Sequence, residues 1–410
     1  MSFAVSVCYK CGEMPAQLKQ ISIEGFKSIQ SLNGFELRPL NVLIGANGAG
    51  KSNFVDFFRM LKAMSGAGLA NFIRDGGGSD GFFFSNGLKP VPELSAHLVF
   101  GQNEYRFTLR HTVSNEVVVK SEGTLWKGGP NEWSNYFLAN TESQFKNWHG
   151  KTSRWSPYLS VEGHIAKAVS GWVVYHFHDT SNSAWMRREH SVRDFRELAP
   201  DAGNIAAFLY RMKGGTFQQR PEEMCPILPN FGTDSAVCYR RIRETVQMIA
   251  PFFDDFLLEP ETKGENEVIR LEWRQKGSST PFQPWQLSDG TIRFICLVTA
   301  LLQPTPPATI VIDEPELGLH PFALELLASL VKDASTKTQV IVSTQSPAFL
   351  DAFEPEDVVV VDRVDGASRF RRLESEPLKE WLNDFSLGEL VRKNVIEAGP
   401  SEPRMTDLIR

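Results

Sequence analysis

Apolar residues near the start of the chain predict two strands followed by a helix. The residues from Leu18 to Phe26 approximate the alternation of a half-buried strand. The run "PLNVLIG", Pro39 to Gly45, is short and apolar, as is typical of a buried strand. After a glycine-rich stretch, apolar residues recur at helical spacing, at Phe54, Phe57, Phe58 and Leu61. The order strand, loop, helix is therefore expected between residues 39 and 61.

Further along, the pattern changes from strand-like to helix-like and back. The alternating runs "ELSAHLVF", "YRFTLRHTV" and "EVVVKSEGTLW" predict an antiparallel meander. In "GNIAAFLYRMK" and "AVCYRRIRETVQMIAPFF", apolar residues recur at i, i+3 and i+4 and predict helices. The apolar runs in "ATIVIDEPELGLHP" and "TQVIVSTQSPAFL" predict buried strands, and "DVVVVDRVDGASRF" predicts a hairpin. Taken together, these patterns predict an α/β protein.

The patterns also divide the chain into segments. In chain order these are an N-terminal tail (1–17), a first lobe with the glycine-rich loop, the meander and an aromatic-rich insertion (18–181), a helical lobe (182–290), a core part with two buried strands (291–395) and a C-terminal tail (396–410). The aromatic side chains of the insertion, residues 127–170, are expected to be core, because aromatic residues are commonly buried. Base stacking or partner binding is the alternative for this insertion.

The stretch "GANGAGKSN" lies between the predicted strand and helix, which is the context that a Walker A phosphate-binding loop requires. Glycines let successive backbone N–H groups turn inward, and the helix N-terminus adds positive potential where phosphates sit. Lys51 is expected to reach the β- and γ-phosphates of ATP, and the Ser52 hydroxyl to ligate Mg²⁺. The predicted nucleotide-binding residues are Gly45, Asn47, Gly48, Gly50, Lys51, Ser52 and Asn53.

Two carboxylates follow the later apolar strand "ATIVI". Asp313 is expected beside the Mg²⁺, and Glu314 is expected to polarise the water that attacks the γ-phosphate. A solvated acidic turn is the alternative. The next predicted strand ends in polar residues that include Gln345, before a helix that starts with proline. Because the carboxyl ends of parallel strands line the ligand crevice of an α/β sheet, these strand ends are expected to converge on one nucleotide.

A second glycine-containing turn, "QLSDG", precedes an apolar helix, where Ser288 or Asp289 could simply cap the helix. Together, "GANGAGKSN", "LSDG", "VIDEPELGLHP" and "VSTQSP" resemble the motifs of ABC-type ATPases of the SMC, RecF and OLD group, which are P-loop NTPases. The resemblance covers roughly residues 18–395. It implies an ABC-ATPase head with an added antiparallel β-subdomain and a helical signature lobe. It further implies that Ser288 and Gly290 of one chain cap the ATP held by a second copy, in an ATP-dependent homodimer, with a higher oligomer as the alternative.

Two positions depart from the pattern of that group. Many ABC ATPases have a histidine after the strand that here ends in "VST", whereas this chain has Gln345. Glutamine can hydrogen-bond a phosphate or a water but cannot carry a proton charge, which leaves slow hydrolysis open. The glutamine of the family's Q-loop also lacks a direct counterpart. His178 and Asp179, after the strand-like "GWVVYHF", are the candidates for that position, and a polar turn is the alternative.

Composition narrows the class of protein only slightly. A net charge of −6 argues against a wholly basic surface for nucleic acid, although local clusters can still bind phosphates. The clusters at Arg187, Arg188 and Arg193 and at residues 240–243 are expected to be solvated helix faces. Absence of a long apolar run and of a signal-peptide pattern favours a cytoplasmic protein without membrane contact.

Cysteine usage and the C-terminal region add two minor hypotheses. Cys8 and Cys11 have the spacing of a zinc knuckle but no second such pair to complete four ligands, so an N-terminal tail is preferred over a zinc site. No long stretch of heptad repeats separates the motifs in the sequence, so coiled-coil arms are not expected. About 45 residues follow Asp365 in the predicted hairpin, too few for the TOPRIM nuclease domain of OLD proteins, so that domain is not expected.

The resemblance favours an ATP-driven switch that closes around two ATP and acts on a partner. That partner would be a separately encoded effector, such as a nuclease, or nucleic acid, since stand-alone ATPases of this kind often belong to phage-defence and DNA-repair operons. A RecF-like repair ATPase that clamps duplex DNA is the alternative. The wording "EPELGLHP" and the meander both argue against the ATPase subunit of a membrane transporter.

Overall fold

The computed structural model describes residues 17–66, 68–85, 87, 90–129, 132–152, 160–215 and 234–398. The strands of these residues are, in chain order, β1 (Gln20–Phe26), β2 (Ile29–Glu36), β3 (Leu40–Ile44), β4 (Glu93–Phe100), β5 (Asn103–His111), β6 (Val117–Trp126), β7 (Ser134–Asn140), β8 (Trp172–Tyr175), β9 (His190–Ser191), β10 (Phe253–Leu257), β11 (Glu261–Lys263), β12 (Asn266–Ile269), β13 (Glu272–Gln275), β14 (Thr309–Asp313), β15 (Gln339–Thr344), β16 (Val358–Val364) and β17 (Ala367–Arg372). The α-helices are α1 (Lys51–Ser65), α2 (Leu69–Asp75), α3 (Val161–Ser170), α4 (Ile205–Met212), α5 (Asp234–Ile249), α6 (Asp289–Leu302), α7 (Pro321–Ser335), α8 (Pro347–Leu350), α9 (Ser375–Leu382) and α10 (Leu387–Arg392).

The chain divides into two compact units. The first holds the described residues up to Leu37 together with those of Arg59–Trp172, and the second holds Arg38–Phe58 and the described residues from Val173 onward. The predicted α/β fold class and the antiparallel meander are both confirmed. The segment boundaries at residues 17, 181, 290 and 395 stay predictions, and the cysteine pair Cys8 and Cys11 lies outside the described residues.

The first unit is built around a six-stranded antiparallel sheet in the order β2-β1-β4-β5-β6-β7. Every second residue of β4 is buried, as expected for a strand with one face on the core. From the aromatic insertion, Phe145 and Trp148 pack against Tyr105 of β5 with ring centroids 4.9–5.7 Å apart. These aromatic residues of the insertion are therefore core.

The second unit contains a six-stranded sheet in the order β17-β16-β3-β15-β14-β8. Strands β14, β15, β3 and β16 run parallel, and β17 pairs antiparallel to β16 in the predicted hairpin. Every residue of β3, β14 and β15 is buried, because the parallel sheet is covered on both faces. Asp313 lies opposite Ser343, and Thr344 lies opposite Ile44. The carboxyl ends of β14, β15 and β3 therefore lie side by side at one edge of the sheet.

Helix α6 occupies the interior of the second unit. Its residues from Ile292 to Leu302 are all buried, and it packs against α5 and α7. A helix surrounded by protein is apolar on every side, which explains the run "FICLVTALL". The turn that precedes α6 is consequently anchored to a rigid element. None of the helices in the described part of the chain has the length and apolar character needed to cross a membrane.

Candidate functional site

The loop between β3 and α1 has the backbone geometry of a phosphate cradle. Gly48 and Gly50 have φ angles of +78° and +111°, a region that other residues rarely adopt. A Cβ atom on Gly45 would lie 2.1 Å from the carbonyl oxygen of Val361, so a side chain does not fit at that position. Lys51 begins α1, which places the unpaired N–H groups of the helix N-terminus beside the loop.

The ammonium group of Lys51 is folded back on this loop. Its Nζ atom donates hydrogen bonds to the carbonyl oxygens of Gly45 and Ala46, at 2.7 and 3.0 Å. Burial lowers the pKa of Lys51, and the nearby carboxylates of Glu314 and Asp313 oppose that shift. The cation is thus held in the loop and lies within the field of the acids at the same edge of the sheet.

The two predicted acids stand where β14 ends. Asp313 is buried, and its Oδ1 atom accepts a hydrogen bond from the Ser343 hydroxyl on β15. Glu314 follows with a φ angle of +46°, and its N–H donates to the carbonyl oxygen of Ser343 at 2.9 Å. A left-handed conformation at a residue other than glycine costs roughly 1–3 kcal/mol and is common at functional sites.

Gln345 joins the end of β15 to these acids. Its side-chain Nε2 donates a hydrogen bond to Oε1 of Glu314. Its main-chain N–H donates to Oε1 of Glu316 at 2.6 Å, and the Thr344 hydroxyl donates to the same oxygen at 2.8 Å. Burial raises the pKa of Glu316. The loop after β14 and the turn after β15 are therefore bound to each other at several points.

Of the two Q-loop candidates, only His178 reaches this cluster. Its Nε2 atom lies 2.9 Å from the carbonyl oxygen of Asp313 and must carry the hydrogen, since a carbonyl only accepts. Asp179 is exposed, and its carboxylate accepts a hydrogen bond from the Ser181 N–H at 3.0 Å. The hydrogen bonds from Ser181 lower the pKa of Asp179. The structure therefore places His178 at the acids and Asp179 in a local polar turn.

The turn "QLSDG" caps α6 and is held by a buried arginine. The Ser288 hydroxyl accepts a hydrogen bond from the Thr291 N–H at 3.1 Å, so Ser288 is the N-cap residue. Arg187 is 4% exposed and donates to the Leu287 carbonyl oxygen at 3.2 Å and to Asp289 Oδ1 at 2.8 Å. The same guanidinium donates to the carbonyl oxygens of Thr180, at 2.8 Å, and Pro284. The prediction that Arg187 lies on a solvated face is wrong.

Behind this turn, α6 contacts the loop that follows Glu314. A Cβ atom on Gly290 would lie 2.3 Å from the Gly318 carbonyl oxygen, so the first turn of α6 and this loop touch backbone to backbone. Arg293 donates to the carbonyl oxygens of Phe177, at 2.9 Å, and Leu317, and to that of His178, at 3.0 Å. Arg293 thereby links α6 to the segment after β8 that contains His178 and to the loop after β14.

Three residues that the structure places at the site were given no role there from the sequence: Arg187, Arg293 and Glu316. For Arg293 a signal existed, because a single arginine inside an otherwise apolar helix must find buried partners. For Glu316 the signal was the third acid of "DEPE", to which no role was given. Arg187 carries no comparable signal, because nothing in the sequence distinguishes it from the adjacent Arg188, which is exposed.

The residues at the sheet edge fit ATP with Mg²⁺. The phosphate cradle excludes a side chain at Gly45, and the buried amine of Lys51 donates hydrogen bonds to the carbonyl oxygens of Gly45 and Ala46. The hydroxyl of Ser52, exposed at the start of α1, and the carboxylate of Asp313 supply the oxygen donors that Mg²⁺ prefers. The predicted site residues Asn47 and Gly48 are likewise exposed and Asn53 is half-buried.

The chain is similar in sequence to part of two curated proteins. The curated protein "Chromosome partition protein Smc" of Coxiella burnetii is 34% identical over 128 residues, which are 30% of this chain and 10% of that protein. The protein of the same name from Desulfitobacterium hafniense is 29% identical over 142 residues, which are 34% of this chain and 11% of that protein. The similarity therefore spans about a tenth of the length of these curated relatives.

Similarity in structure extends over most of the chain. A solved structure described as "Crystal structure of the SmcHead bound to the C-winged helix domain of ScpA" superposes with a TM-score of 0.52 at 15% identity. The superposition covers 89% of this chain and 99% of that one, and it establishes the fold.

The fold is that of an ABC-type P-loop ATPase head of the SMC kind, as the sequence motifs predicted. A protein-family model described as "AAA domain, putative AbiEii toxin, Type IV TA system" matches residues 40–144 and 188–351. These two ranges make up more than half of the chain, and the chain belongs to this family.

Proposed function

We propose that this protein binds and hydrolyses ATP as a molecular switch, pairing with a second copy around two ATP and driving a partner effector. One observation carries the proposal. Lys51, Glu314 and Gln345 follow the carboxyl ends of three neighbouring parallel strands, β3, β14 and β15, and lie at one edge of the sheet. The Gln345 amide donates a hydrogen bond to the Glu314 carboxylate there. In an α/β sheet this edge is where ligands bind.

In this mechanism each residue has one task. Lys51 exchanges its bonds to the loop carbonyls for bonds to the β- and γ-phosphates. Ser52 and Asp313 would hold Mg²⁺, which when bound neutralises part of the phosphate charge. Glu314 accepts the proton of the attacking water, and Gln345 orients the Glu314 carboxylate through its amide. His178 fixes the end of β14 through its bond to the Asp313 carbonyl oxygen.

The second copy completes the site. Ser288 is exposed and Gly290 half-buried in the turn at the N-terminus of α6, a helix of 14 residues whose positive end suits an anion. We assign this turn to the nucleotide held by the P-loop of the second copy. The cap role of Ser288 supports the assignment, because it holds the turn in one conformation before any nucleotide arrives.

A mixing experiment tests the shared site. Lys51→Ala and Ser288→Arg are each expected to lose ATP turnover when purified alone. In a mixed pair, the Ser288→Arg chain supplies an intact loop and the Lys51→Ala chain supplies an intact turn, so one of the two sites is complete. With random pairing half of the pairs are mixed, and about a quarter of wild-type turnover should return.

The matched control mixes Lys51→Ala with the Lys51→Ala/Ser288→Arg double variant, which leaves no complete site. No recovery in the first mixture beyond this control would contradict the shared site. The proposed partner is a separately encoded protein effector, and duplex DNA is the alternative. Duplex DNA binding that appears with ATP and weakens steeply with salt, by the slope of several phosphate contacts, would favour a DNA-clamping ATPase instead.

A further inference from the structure

Glu316 lies in the loop after β14, two residues beyond Glu314, and has an unusual environment for a carboxylate. Its Oε1 atom accepts hydrogen bonds from the Thr344 hydroxyl and the Gln345 N–H, at 2.8 and 2.6 Å. Its Oε2 atom is buried and has no hydrogen-bond partner within the described part of the chain. Burying a carboxyl group is costly unless hydrogen bonds compensate, and the two hydrogen bonds at Oε1 supply that compensation.

Those contacts fix the residue that holds Glu314. Gln345 is bound at two points, through its main-chain N–H to Glu316 and through its side-chain amide to Glu314. The Thr344 hydroxyl, which donates to Glu316, also accepts from the Ser346 N–H at 3.0 Å. One carboxyl oxygen is therefore linked, directly or through the Thr344 hydroxyl, to two backbone N–H groups of the turn from β15 into α8. Displacing that turn would carry the Gln345 amide away from Glu314.

We propose that Glu316 is a positioning residue for ATP hydrolysis, which holds the turn after β15 so that the Gln345 amide orients the Glu314 carboxylate. The inference rests on the proposed function, because it concerns the rate of that reaction. Glu316 acts through Gln345 and does not take part in binding the nucleotide. Its hydrogen bonds and not its charge perform this task, since both are made by Oε1 while Oε2 makes none in the described chain.

Two substitutions separate hydrogen bonding from charge. Glu316→Ala removes both bonds to the turn and releases the Gln345 amide, so kcat for ATP should fall about tenfold or more, the change expected for losing the hydrogen bond from Gln345 to the Glu314 carboxylate. The dissociation constant for ATP should stay within about twofold, because the bonds of Glu316 go to β15 and not to the phosphate loop. Glu316→Gln keeps an acceptor oxygen for the turn and should retain kcat within about threefold of wild type. Equal losses in the two variants would overturn the proposal.

A double-variant cycle tests the route of action. If Glu316 acts through Gln345, then Glu316→Ala combined with Gln345→Ala should lose no more kcat than the larger of the two single losses. Losses that multiply would show that Glu316 acts independently of Gln345 and would overturn the inference. Thermal unfolding of each variant identifies any that fails to fold, and the Glu316→Gln comparison then decides.

Hydrogen exchange gives a readout that does not depend on turnover. In the nucleotide-free protein, Glu316→Ala should speed exchange of the backbone amides at Gln345 and Ser346, while Glu316→Gln should leave their exchange slow. Unchanged exchange in Glu316→Ala would refute the positioning role. If the wild-type protein shows no ATP turnover, the proposed function fails, and the exchange measurement still decides whether Glu316 holds the turn.

Discussion

Arg187 and Arg188 are adjacent in the sequence and opposite in burial, which allows a matched test of how the turn before α6 is held. Arg187 is 4% exposed and donates to three backbone carbonyl oxygens and to the Asp289 carboxylate. Arg188 is exposed, with its guanidinium 4.7 Å from the ring centroid of Trp185. Methionine at either position resembles the unbranched aliphatic stem of arginine and removes the charged guanidinium group.

The expected loss for Arg187→Met follows from its partners. A hydrogen bond from a charged donor contributes about 1.5–3 kcal/mol, and a buried acceptor left unpaired costs about 1–3 kcal/mol. Relief from burying a cation offsets part of this loss. We therefore expect the free energy of unfolding to fall by about 2–4 kcal/mol. Arg188→Met loses an exposed cation–π contact with Trp185, for which about 0.5–1 kcal/mol is expected, and a solvent-screened attraction to Asp179.

Urea unfolding followed by far-UV circular dichroism measures both changes, and ATP turnover measured alongside reports the state of the turn. Arg187→Met should also lose most of its turnover, because the carbonyl oxygens of Pro284 and Leu287 fix the approach to Ser288. If Arg187→Met and Arg188→Met differ by less than about 0.5 kcal/mol in unfolding free energy, then the buried guanidinium does not hold the turn.

The remaining predictions concern the cradle, α6 and the end of β14. Lys51→Ala should abolish ATP binding in calorimetry, since the phosphates lose their main cation, and retained affinity would sink the site assignment. Gly290→Ala should lower the free energy of unfolding by about 1–3 kcal/mol because its Cβ would lie 2.3 Å from the Gly318 carbonyl oxygen, whereas a tolerated Gly-to-Ala change would raise it. His178→Ala should lower kcat about tenfold or more and Asp179→Ala should not, because only His178 bonds to the acidic strand end; equal kcat values would contradict that distinction.

Local sequence was enough to predict the elements around the site. The strand and helix that flank the phosphate loop follow from short apolar runs, and the four residues at helical spacing from Phe54 to Leu61 are all fully buried. The hairpin β16–β17 and the meander β4–β6 follow from alternation in the same way. These elements depend on neighbours in the sequence, so a pattern of a few residues specifies them.

Contacts between distant parts of the chain could not be predicted from such patterns. Arg187 meets Leu287, 100 positions away, and the sequence around Arg187 is that of an ordinary charged surface. Gln345 bonds to Glu314 across two strand ends, and only the register of β14 and β15 brings them together. The cap predicted as an alternative at Ser288 is present, while its role toward a second copy stays a prediction.

The central claim is that ATP binding joins two copies and that hydrolysis through Glu314 separates them. Glu314→Gln removes the group that accepts the proton of the attacking water and leaves Lys51 and Ser288 in place. Light scattering of this variant with ATP and Mg²⁺ should give twice the 46.0 kDa mass of one chain, and without nucleotide it should give the single mass. A single-chain mass at saturating ATP and Mg²⁺ would contradict the account.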